Sequence, residues 1–573
     1  MTSMVKKLLF VIVAFSFTAT AFGERPLANT RKAGLGYESI EAILELPDKD
    51  IDLATALLTL SGRWNVYTNT ERYRREIDDI AWAIRDALKE KRAKAGRETI
   101  AVINEYLFDY LGFSPVETAE NPQDLFLDSV IDNKRGYCLS LSVLYLSIGE
   151  RLGLPLHGVV VPGHFFVRHG GGRVGFNIET TQKGAFAGDS HYMEEFKVPK
   201  GGNTIYMKNL TKKQTIGCFF NNLGNVYSDD GDIENAFYYL DMAVKINPAL
   251  SEARTNLANI YSEKGMLDEA IDLYKTALKI NPADAKTHYN LANAYKKTKK
   301  FDLAIKRYKK SISIDDDYAE SYKGLAQTYY EKKLYRMAIE TFEKAASLDS
   351  TDADIYADIA MIYYEQENYR KAISNYRLAV SIRADYVRAL YGLAQAYLQS
   401  EMLYEAIEQF RAVIYYDPQD ANAYFALGIA YNKLGWADDE IDAYNNTIAI
   451  DPAHIGAHQN IANAYINQKD YASAVKHYQK AVEIEPNKAR LYYGLGLGYA
   501  MLEDYLAAAE NYQNAIELQN DYPQAHYNMA IASFNTKNYE KALKHFEIAK
   551  QQGMEVKEEV FEQLYQILES QNQ

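Results

Sequence analysis

Three side chains in the first third of the sequence are of types that can carry out acyl transfer: Cys138, His164 and Glu179. Cys138 opens an apolar run, residues 139–152, that reads as a helix ending at a glycine. His164 follows an apolar, strand-like run, residues 156–161, and Glu179 lies on the next such run. The predicted order is therefore a cysteine at a helix start, a histidine on a strand and an acid on the following strand.

This order of residue types matches the requirements of a cysteine nucleophile. A cysteine at a helix start lies near unpaired amide hydrogens and the positive end of the helix dipole, and both favour thiolate over thiol. His164 can hold the proton, and Glu179 can fix the tautomer of the imidazole. In the alternative interpretation, Cys138 is a small buried filler, His164 a satisfied core histidine and Glu179 a surface residue, since cysteine is among the most frequently buried residue types.

The amino-acid sequence around these residues resembles that of the transglutaminase-like core domain, which is of the papain-like cysteine-nucleophile type. The matching stretches are RGYCLSLSVLYLSIGERLGLP and VVVPGHFFVR, within a resemblance that covers about residues 38–200. The resemblance implies an α+β fold and a catalytic triad on Cys138, His164 and Glu179. Glu179 replaces the usual Asp, and Asn177 is a neighbouring candidate on the same side of the strand. Many members of this branch lack the cysteine, so the resemblance implies either an enzyme or an inactive relative.

The remainder of the chain is built from ten copies of a thirty-four-residue unit, residues 217–556, without insertions. Apolar residues recur at helical spacing in two runs per copy, so each copy is predicted to form two antiparallel helices. The seventh column is apolar, and the eighth is always Gly or Ala. The pattern resembles the tetratricopeptide repeat and implies an all-α solenoid, a right-handed superhelix. Residues 557–573 carry one apolar stripe and are predicted to be a capping helix.

Asparagines recur at columns six and nine of the repeat, which lie on one face of a helix. A carboxamide can donate to and accept from an extended peptide backbone, so these columns predict a groove that binds a protein or peptide partner. The alternative is polar filler on a concave surface. The candidate binding residues are Asn222, Asn225, Asn256, Asn259, Asn290 and Asn293.

Charge and cysteine content exclude several other functions. The net charge is −14, and nearly all of it falls on the repeats, because residues 24–216 hold 25 basic and 26 acidic residues. An acidic array disfavours nucleic acid as a partner. Two cysteines, Cys138 and Cys218, cannot build a disulfide framework, although in an oxidising compartment they can pair and silence Cys138. No Cys/His cluster indicates a metal site, and no cofactor is expected.

Residues 1–23 have the pattern of a secretory signal, with two lysines, an apolar run and small residues before the expected cleavage site. We therefore expect a periplasmic or secreted protein with no integral membrane segment. The predicted order is signal peptide 1–23, transglutaminase-like domain 24–203, helical connector 204–216, repeats 217–556 and capping helix 557–573. Two functions remain open: an enzyme acting on acyl groups of peptide or cell-envelope substrates, and a non-catalytic scaffold for envelope assembly.

Overall fold

The computed structural model describes residues 39–116, 122–170, 175–199 and 204–571. The predicted signal peptide, residues 1–23, lies outside these ranges. The chain divides into two compact units, one ending at Thr328 and one beginning at Tyr329. The first unit contains the candidate catalytic residues together with the first repeats, and the second contains the later repeats.

Helices form most of the first domain before the candidate cysteine. An apolar residue recurs every three or four positions in each of them, as at Ile77, Ile80 and Ile84, and these side chains are buried. The short helix Arg97–Asn104 continues into a π-helical turn, Glu105–Tyr110. The helices are α1 (Ile40–Glu45), α2 (Leu53–Trp64), α3 (Thr70–Glu90), α4 (Arg97–Asn104) and α5 (Leu127–Asn133).

The helix that begins at the candidate cysteine, α6 (Cys138–Arg151), is packed on nearly every side, with twelve of its fourteen residues buried. An antiparallel sheet of four strands lies beside it, and the strands are hydrogen-bonded in their order along the chain. Along these strands, apolar side chains either alternate with polar ones or follow one another, as expected for a sheet that packs one face against a helix. The bounds are β3 (Leu156–Val161), β4 (His164–His169), β5 (Phe176–Glu179) and β6 (Ala185–Ala187); a separate parallel pair is formed by β1 (Ser114–Pro115) and β2 (Arg135–Gly136), and helix α7 (Asp189–Glu195) follows β6.

The first repeat shares one hydrophobic core with the sheet-containing domain. The ring of Trp64 lies 5.1 Å from that of Phe126 and 5.1 Å from that of Tyr227 in the first repeat. Asp48 accepts hydrogen bonds from the first amides of the first repeat helix, at Lys212 and Lys213. The described residues of the two parts therefore pack against each other. The predicted helical connector, residues 204–216, is helical only from Lys212 onwards.

Each repeat is a pair of antiparallel helices, as the periodicity predicted. The repeat helices that begin in the first unit are α8 (Lys212–Asp229), α9 (Ile233–Ile246), α10 (Ser251–Glu263), α11 (Leu267–Ile280), α12 (Ala285–Lys297), α13 (Phe301–Ile314) and α14 (Ala319–Glu331). In the second unit they are α15 (Tyr335–Leu348), α16 (Ala353–Glu365), α17 (Tyr369–Ile382), α18 (Val387–Gln399), α19 (Leu403–Tyr416), α20 (Ala421–Leu434), α21 (Ala437–Ile450), α22 (Ile455–Asn467), α23 (Tyr471–Ile484), α24 (Ala489–Met501), α25 (Tyr505–Leu518), α26 (Pro523–Asn535), α27 (Tyr539–Gln551) and the last helix, α28 (Glu558–Gln571).

The small residue at column eight is required by the bulky residue at column twenty-four of the same repeat. A Cβ added to Gly428 would lie 2.5 Å from a ring carbon of Tyr444, and one added to Gly496 would lie 2.7 Å from a ring carbon of Tyr512. The two helices of a repeat therefore approach as closely as these rings allow. The predicted architecture, an α+β domain followed by an all-α helical solenoid, is confirmed.

Candidate active site

Cys138 is the first residue of α6 and is partly exposed. The first backbone hydrogen bond of this helix runs from the Leu141 amide to the Tyr137 carbonyl, so the amides of residues 138–140 have no acceptor within the helix. The helix start is fixed by Ser140, whose Oγ accepts from the Tyr137 amide at 2.8 Å and donates to the Asp124 carbonyl at 2.7 Å. The thiol therefore lies at the positive end of a rigidly held helix.

The imidazole of His164 is held by the acid. Its Nε2 donates to Oε2 of Glu179 at 2.8 Å, and Cys138 lines the same pocket as His164. Since Nε2 is engaged by the carboxylate, Nδ1 is the nitrogen left for the sulfur. The structure thus brings His164 and Glu179 into contact and places Cys138 in the same pocket as His164.

Glu179 is 3% exposed, and each of its two carboxylate oxygens accepts two hydrogen bonds. Its Oε1 accepts from the amide of Thr181 at 3.0 Å and from the Thr181 hydroxyl at 2.5 Å. Its Oε2 accepts from the hydroxyl of Tyr192 at 2.9 Å as well as from His164. Burial alone would raise the pKa of Glu179, but hydrogen bonds and the charge of His164 outweigh it and lower the pKa below 4.5.

The environment of His164 favours the imidazolium. Burial lowers its pKa, but hydrogen bonds to Cys138 and Glu179 and the negative charges of both groups prevail, and they raise the pKa from 6.5 to about 10. His164 is therefore protonated near neutral pH and can donate a proton in the pocket that it shares with Cys138.

Aromatic rings hold the imidazole in place. The ring of Phe196 stacks on His164 with centroids 4.7 Å apart and planes 5° apart. Tyr192 stacks on Phe166 at 3.8 Å, on the same face of the sheet. Both Tyr192 and Phe196 come from helix α7 and its C-terminal end. This helix therefore orients the acid and the histidine together.

Asn177, the alternative acid-position residue, lies on the same face of the sheet but in a different network. It pairs with Arg168 across the strands, and its Oδ1 accepts from Arg168 Nε at 2.7 Å. Its Nδ2 donates to Asp189 at 2.7 Å. Asn177 therefore helps to attach α7 to the sheet, and Glu179 is the residue that contacts the imidazole.

Cys138 and His164 open onto a pocket of about 560 Å³ whose opposite wall is made by the first repeats. The wall of the first domain includes Phe165, Phe196 and Lys197. The wall from the repeats carries asparagines, acids and the second cysteine: Cys218, Asn221, Asn222, Asn225, Glu252, Asn256, Asp284 and Asp315. Three of the predicted peptide-binding asparagines thus line the same pocket as the candidate nucleophile.

The other predicted asparagines are joined to one another and to tyrosines. Asn290 Nδ2 donates to Asn259 Oδ1 at 2.9 Å, and Asn259 also accepts from the hydroxyl of Tyr274 at 2.6 Å. Asn293 accepts from the hydroxyl of Tyr308. These bonds leave Nδ2 of both column-nine residues directed away from the tyrosines.

Cys218 lines the pocket but differs from Cys138 in its surroundings. It is 5% exposed, it is a free thiol in this structure, and Asn247 Nδ2 donates to its sulfur at 3.6 Å. Burial raises its pKa well above the usual range, and the charge of Glu252 adds to this effect. Cys218 is therefore the less reactive thiol of the two.

The residues missed by sequence reasoning are those that act through Glu179 and His164: Thr181, Tyr192 and Phe196. Thr181 lies two residues after the acid, in the TT that follows it, and an Asx-like side-chain bond to the backbone was a possible signal. Tyr192 and Phe196 lie four residues apart on a short helix, and nothing in their spacing indicates which sheet face they cover. Among the described residues, no group of three or more His, Cys, Asp or Glu side chains is placed to hold a metal ion.

Comparison with known proteins supports the two-part organisation. The family model described as "Transglutaminase-like superfamily" matches residues 71–209. Tetratricopeptide repeat models match residues 219–250, 258–299, 283–351, 363–430, 462–503 and 493–555. Searching the described helices for one long and apolar enough to cross a membrane yields none.

Individual relatives cover parts of the chain. A UPF0162 protein of Xylella fastidiosa is 32% identical over 126 residues, which is 22% of this chain and 37% of the relative. The F-box only protein 21 of Mus musculus is 31% identical over 83 residues, 14% of this chain and 13% of that protein. The match thus spans little more than a third of the UPF0162 protein's own length.

Among solved structures, YrrB, described as a TPR protein with an unusual peptide-binding site, is 26% identical over 32% of this chain and 95% of its own, with a TM-score of 0.30. Tetratricopeptide arrays are protein-interaction modules with extended concave surfaces. The chain therefore carries a domain of the transglutaminase-like superfamily, residues 71–209, followed by tetratricopeptide repeats across residues 219–555.

Proposed function

We propose that the protein is a cysteine-dependent acyl-transfer enzyme whose substrate is a peptide, or a peptide-containing component of the cell envelope. The observation that carries this proposal is that Cys138 shares a pocket, open to the repeats, with His164, whose imidazole is hydrogen-bonded to Glu179. Each group has the state that its role requires: a sulfur at a helix start, an imidazole with a raised pKa and a buried, fully hydrogen-bonded carboxylate.

The reaction begins with attack of the Cys138 sulfur on an amide or ester carbonyl carbon. A C–S bond forms, and the carbonyl oxygen becomes an oxyanion that the backbone amide at the start of α6 can stabilise. As the carbon–nitrogen or carbon–oxygen bond breaks, His164 gives its Nδ1 proton to the leaving amine or alcohol. Glu179 stays ionised and keeps the ring oriented.

The second half of the reaction releases the acyl group from the sulfur. Water or an amine attacks the thioester carbonyl and gives its proton to His164, and the C–S bond breaks to restore the thiolate. Hydrolysis and transfer differ only in which nucleophile enters the pocket. The proposal covers both outcomes, and product analysis distinguishes them.

Reaction with a chromogenic ester tests the proposal directly. With p-nitrophenyl acetate we expect a burst of p-nitrophenol equal to the enzyme concentration and an acetyl group on Cys138, found by peptide mass spectrometry. Cys138→Ala should abolish the burst. Cys218→Ala is the matched control, because this second thiol lines the same pocket, and it should leave the burst intact.

The contrasting function is a non-catalytic scaffold, in which both parts only bind. It predicts no burst, and equal alkylation of Cys138 with or without His164. Absence of both the acetyl group and the His164 effect would leave the scaffold function in place of the enzyme.

We also propose that the protein is exported to the periplasm or secreted. The support is the signal-like pattern of residues 1–23, which lie outside the described residues. Amino-terminal sequencing of the protein from its native cells should find Glu24 as the first residue. A chain that keeps Met1 and fractionates with the cytoplasm would contradict export.

A further inference from the structure

The column-nine asparagines have a structural partner in most repeats that contain them. Asn259 accepts a hydrogen bond from Tyr274 at 2.6 Å, and Asn293 and Asn463 accept from Tyr308 and Tyr478 in the same way. In each case the tyrosine is at column twenty-four of the same repeat. The bond ties the two helices of the repeat together, so an asparagine in this position has a reason to recur that involves no ligand.

The first repeat is the exception. Its column-nine residue is Asn225, and its column-twenty-four residue is Leu240, which has no hydroxyl and is fully buried. Within the described residues, the carboxamide of Asn225 makes no hydrogen bond, and the side chain is only partly buried. Asn225 lines the pocket that contains Cys138 and His164. Its carboxamide therefore has no hydrogen-bonding partner within the described part of the protein and is available to a ligand in this pocket.

Neighbouring asparagines present complementary groups to the same pocket. Asn221 is at the centre: its Nδ2 donates to Asn222 Oδ1 at 3.3 Å, and its Oδ1 accepts from Asn256 Nδ2 at 3.0 Å. These bonds occupy the acceptor of Asn222 and one donor of Asn256. Donor hydrogens of Asn222 and the acceptor oxygen of Asn256 remain for a ligand, together with both ends of Asn225.

The chemistry of this wall selects a neutral ligand with alternating donors and acceptors. Lys197 and Lys286 face the pocket together with Glu252, Asp284 and Asp315, so charges of both signs are present and neither dominates. Carboxamides pair with the N–H and C=O groups of an extended peptide backbone and read its geometry without reading its side chains.

We propose that Asn225, with Asn222 and Asn256, binds the backbone of an extended peptide beside Cys138, so that the first two repeats form the substrate-binding wall of the active site. The proposal rests on the proposed function for what happens to the bound peptide, but it concerns binding. Asn259, Asn293 and Asn463 differ from Asn225, since tyrosines hold their carbonyl oxygens.

The test is peptide binding to the full chain carrying Cys138→Ala, which cannot turn the peptide over. The probe is a pooled library of fluorescein-labelled peptides of about ten residues, long enough to cross the pocket when extended. The tightest pool is then titrated by fluorescence anisotropy. Adding Asn225→Ala should weaken its affinity about tenfold, the effect of one or two lost hydrogen bonds, with little change in Tm.

Asn463→Ala is the matched control, because it removes the same side chain at the same column of a later repeat. We expect it to lower Tm, since Tyr478 loses its acceptor, and to leave peptide affinity unchanged. Equal affinity for the Asn225→Ala and parent proteins would overturn the proposal. Failure of every pool to bind the Cys138→Ala protein would also overturn it.

A second variant restores the structural pattern in the first repeat. Leu240→Tyr supplies the hydroxyl that Asn225 lacks, and column-eight glycines in two later repeats already accept a tyrosine there, at Tyr444 and Tyr512. Its hydroxyl should engage Asn225 and weaken peptide binding about as much as Asn225→Ala does, while Tm is maintained. Unchanged binding with the new bond formed would count against the proposal.

Failure of the two proposals can be told apart. The p-nitrophenyl acetate burst is measured on the parent protein and reports on Cys138 and His164, whereas peptide binding is measured on the Cys138→Ala protein and reports on the asparagines. A burst without asparagine-dependent peptide binding overturns this inference alone. Asparagine-dependent peptide binding without a burst overturns the enzyme alone.

Discussion

The hydroxyl of Tyr192 donates to Oε2 of Glu179 at 2.9 Å, and this oxygen also accepts the Nε2 proton of His164. Tyr192 is fully buried and stacked on Phe166, so the hydroxyl has one available position. Burial and the neighbouring Glu179 keep the pKa of Tyr192 far above its usual value, so it donates at every physiological pH. The acid that orients the imidazole is thus itself oriented by α7.

Loss of this hydroxyl should reduce turnover without affecting binding. We expect Tyr192→Phe to lower kcat for ester hydrolysis roughly three- to tenfold, about the effect of one hydrogen bond, with KM unchanged. Glu179→Gln should lower kcat further, because it also removes the charge facing His164. Tyr110→Phe, at a residue 75% exposed, is the control. A rise in KM with constant kcat would contradict a positioning role.

Alkylation kinetics should report the pairing of Cys138 and His164. With iodoacetamide, we expect Cys138 to react faster than Cys218 at pH 7, because burial raises the pKa of the Cys218 thiol well above its usual range. His164→Ala should slow the reaction of Cys138 about tenfold or more at pH 7, because the neighbouring positive charge is lost. Peptide mass spectrometry resolves Cys138 from Cys218, which should react slowly throughout.

The same pKa predicts how the pair affects folding stability. His164 has a folded pKa raised above its unfolded value, so its contribution to stability is complete below about pH 6.5 and is lost as pH rises towards 10. The difference in free energy of unfolding between wild type and His164→Ala, from urea titrations, should therefore shrink over this interval. A difference that grows with pH would contradict the assigned charge states.

Glu440 is the one exception to alanine at column twenty, and its carboxyl should destabilise the second unit at neutral pH. It is 5% exposed, and its Oε1 accepts from Asn432 Nδ2 at 3.0 Å. Burial raises its pKa, and the Asn432 bond only partly opposes this. Glu440→Gln keeps the shape and the bond but removes the charge, so we expect Tm to rise by a few degrees at pH 7.

The gain from Glu440→Gln should disappear in acid. A folded pKa above the unfolded value means that the neutral carboxyl is accommodated at low pH and that stability falls as pH rises and the group ionises. Calorimetry at pH 4 and pH 7 should show the difference. Glu408→Gln, at an exposed position in the previous repeat, should change Tm little at either pH.

Two histidine pairs, of which only His477 is not fully buried, should make the last repeats acid-labile. His526 and His545 face each other with Nδ1 atoms 2.9 Å apart, and His458 and His477 do so at 3.2 Å, two repeats earlier. Nε2 of His526 and of His458 donates to a backbone carbonyl, which fixes the neutral tautomer. Burial, then the charges of His526, Lys541 and Lys544, lowers the pKa of His545 to about 4.

A folded pKa below the unfolded value means that stability is lost as pH falls from about 6.5 through 4, because the unfolded chain binds the protons. For His545 the loss at pH 5 is about 2 kcal/mol. We expect His545→Asn, the residue found at this column in two other repeats, to remove most of this loss in urea titrations at pH 5 and 7.5. His191→Asn, at an exposed histidine, should leave the acid sensitivity unchanged.

Local patterns in the sequence predicted the helices and strands that carry the candidate site. Helix α6, strand β3 and the repeat helices follow from apolar periodicity, which depends only on neighbours along the chain. The order of Cys138, His164 and Glu179 followed from the same elements and from the resemblance. The resemblance pointed to Glu179 and left Asn177 as a neighbouring candidate, because both point to one side of β5. In the structure Asn177 is bound by Arg168 opposite it, and Glu179 contacts His164.

Tertiary structure alone decided what surrounds these residues. Tyr192 and Phe196 reach the site because α7 folds back over the sheet. Sequence periodicity reports only on neighbours along the chain, so it could not predict this contact. The pocket shared by Cys138 and Asn225 exists because the first repeat packs into the core of the preceding domain. Sequence spacing specifies which face of a helix a side chain occupies, but packing between distant segments determines what that face meets.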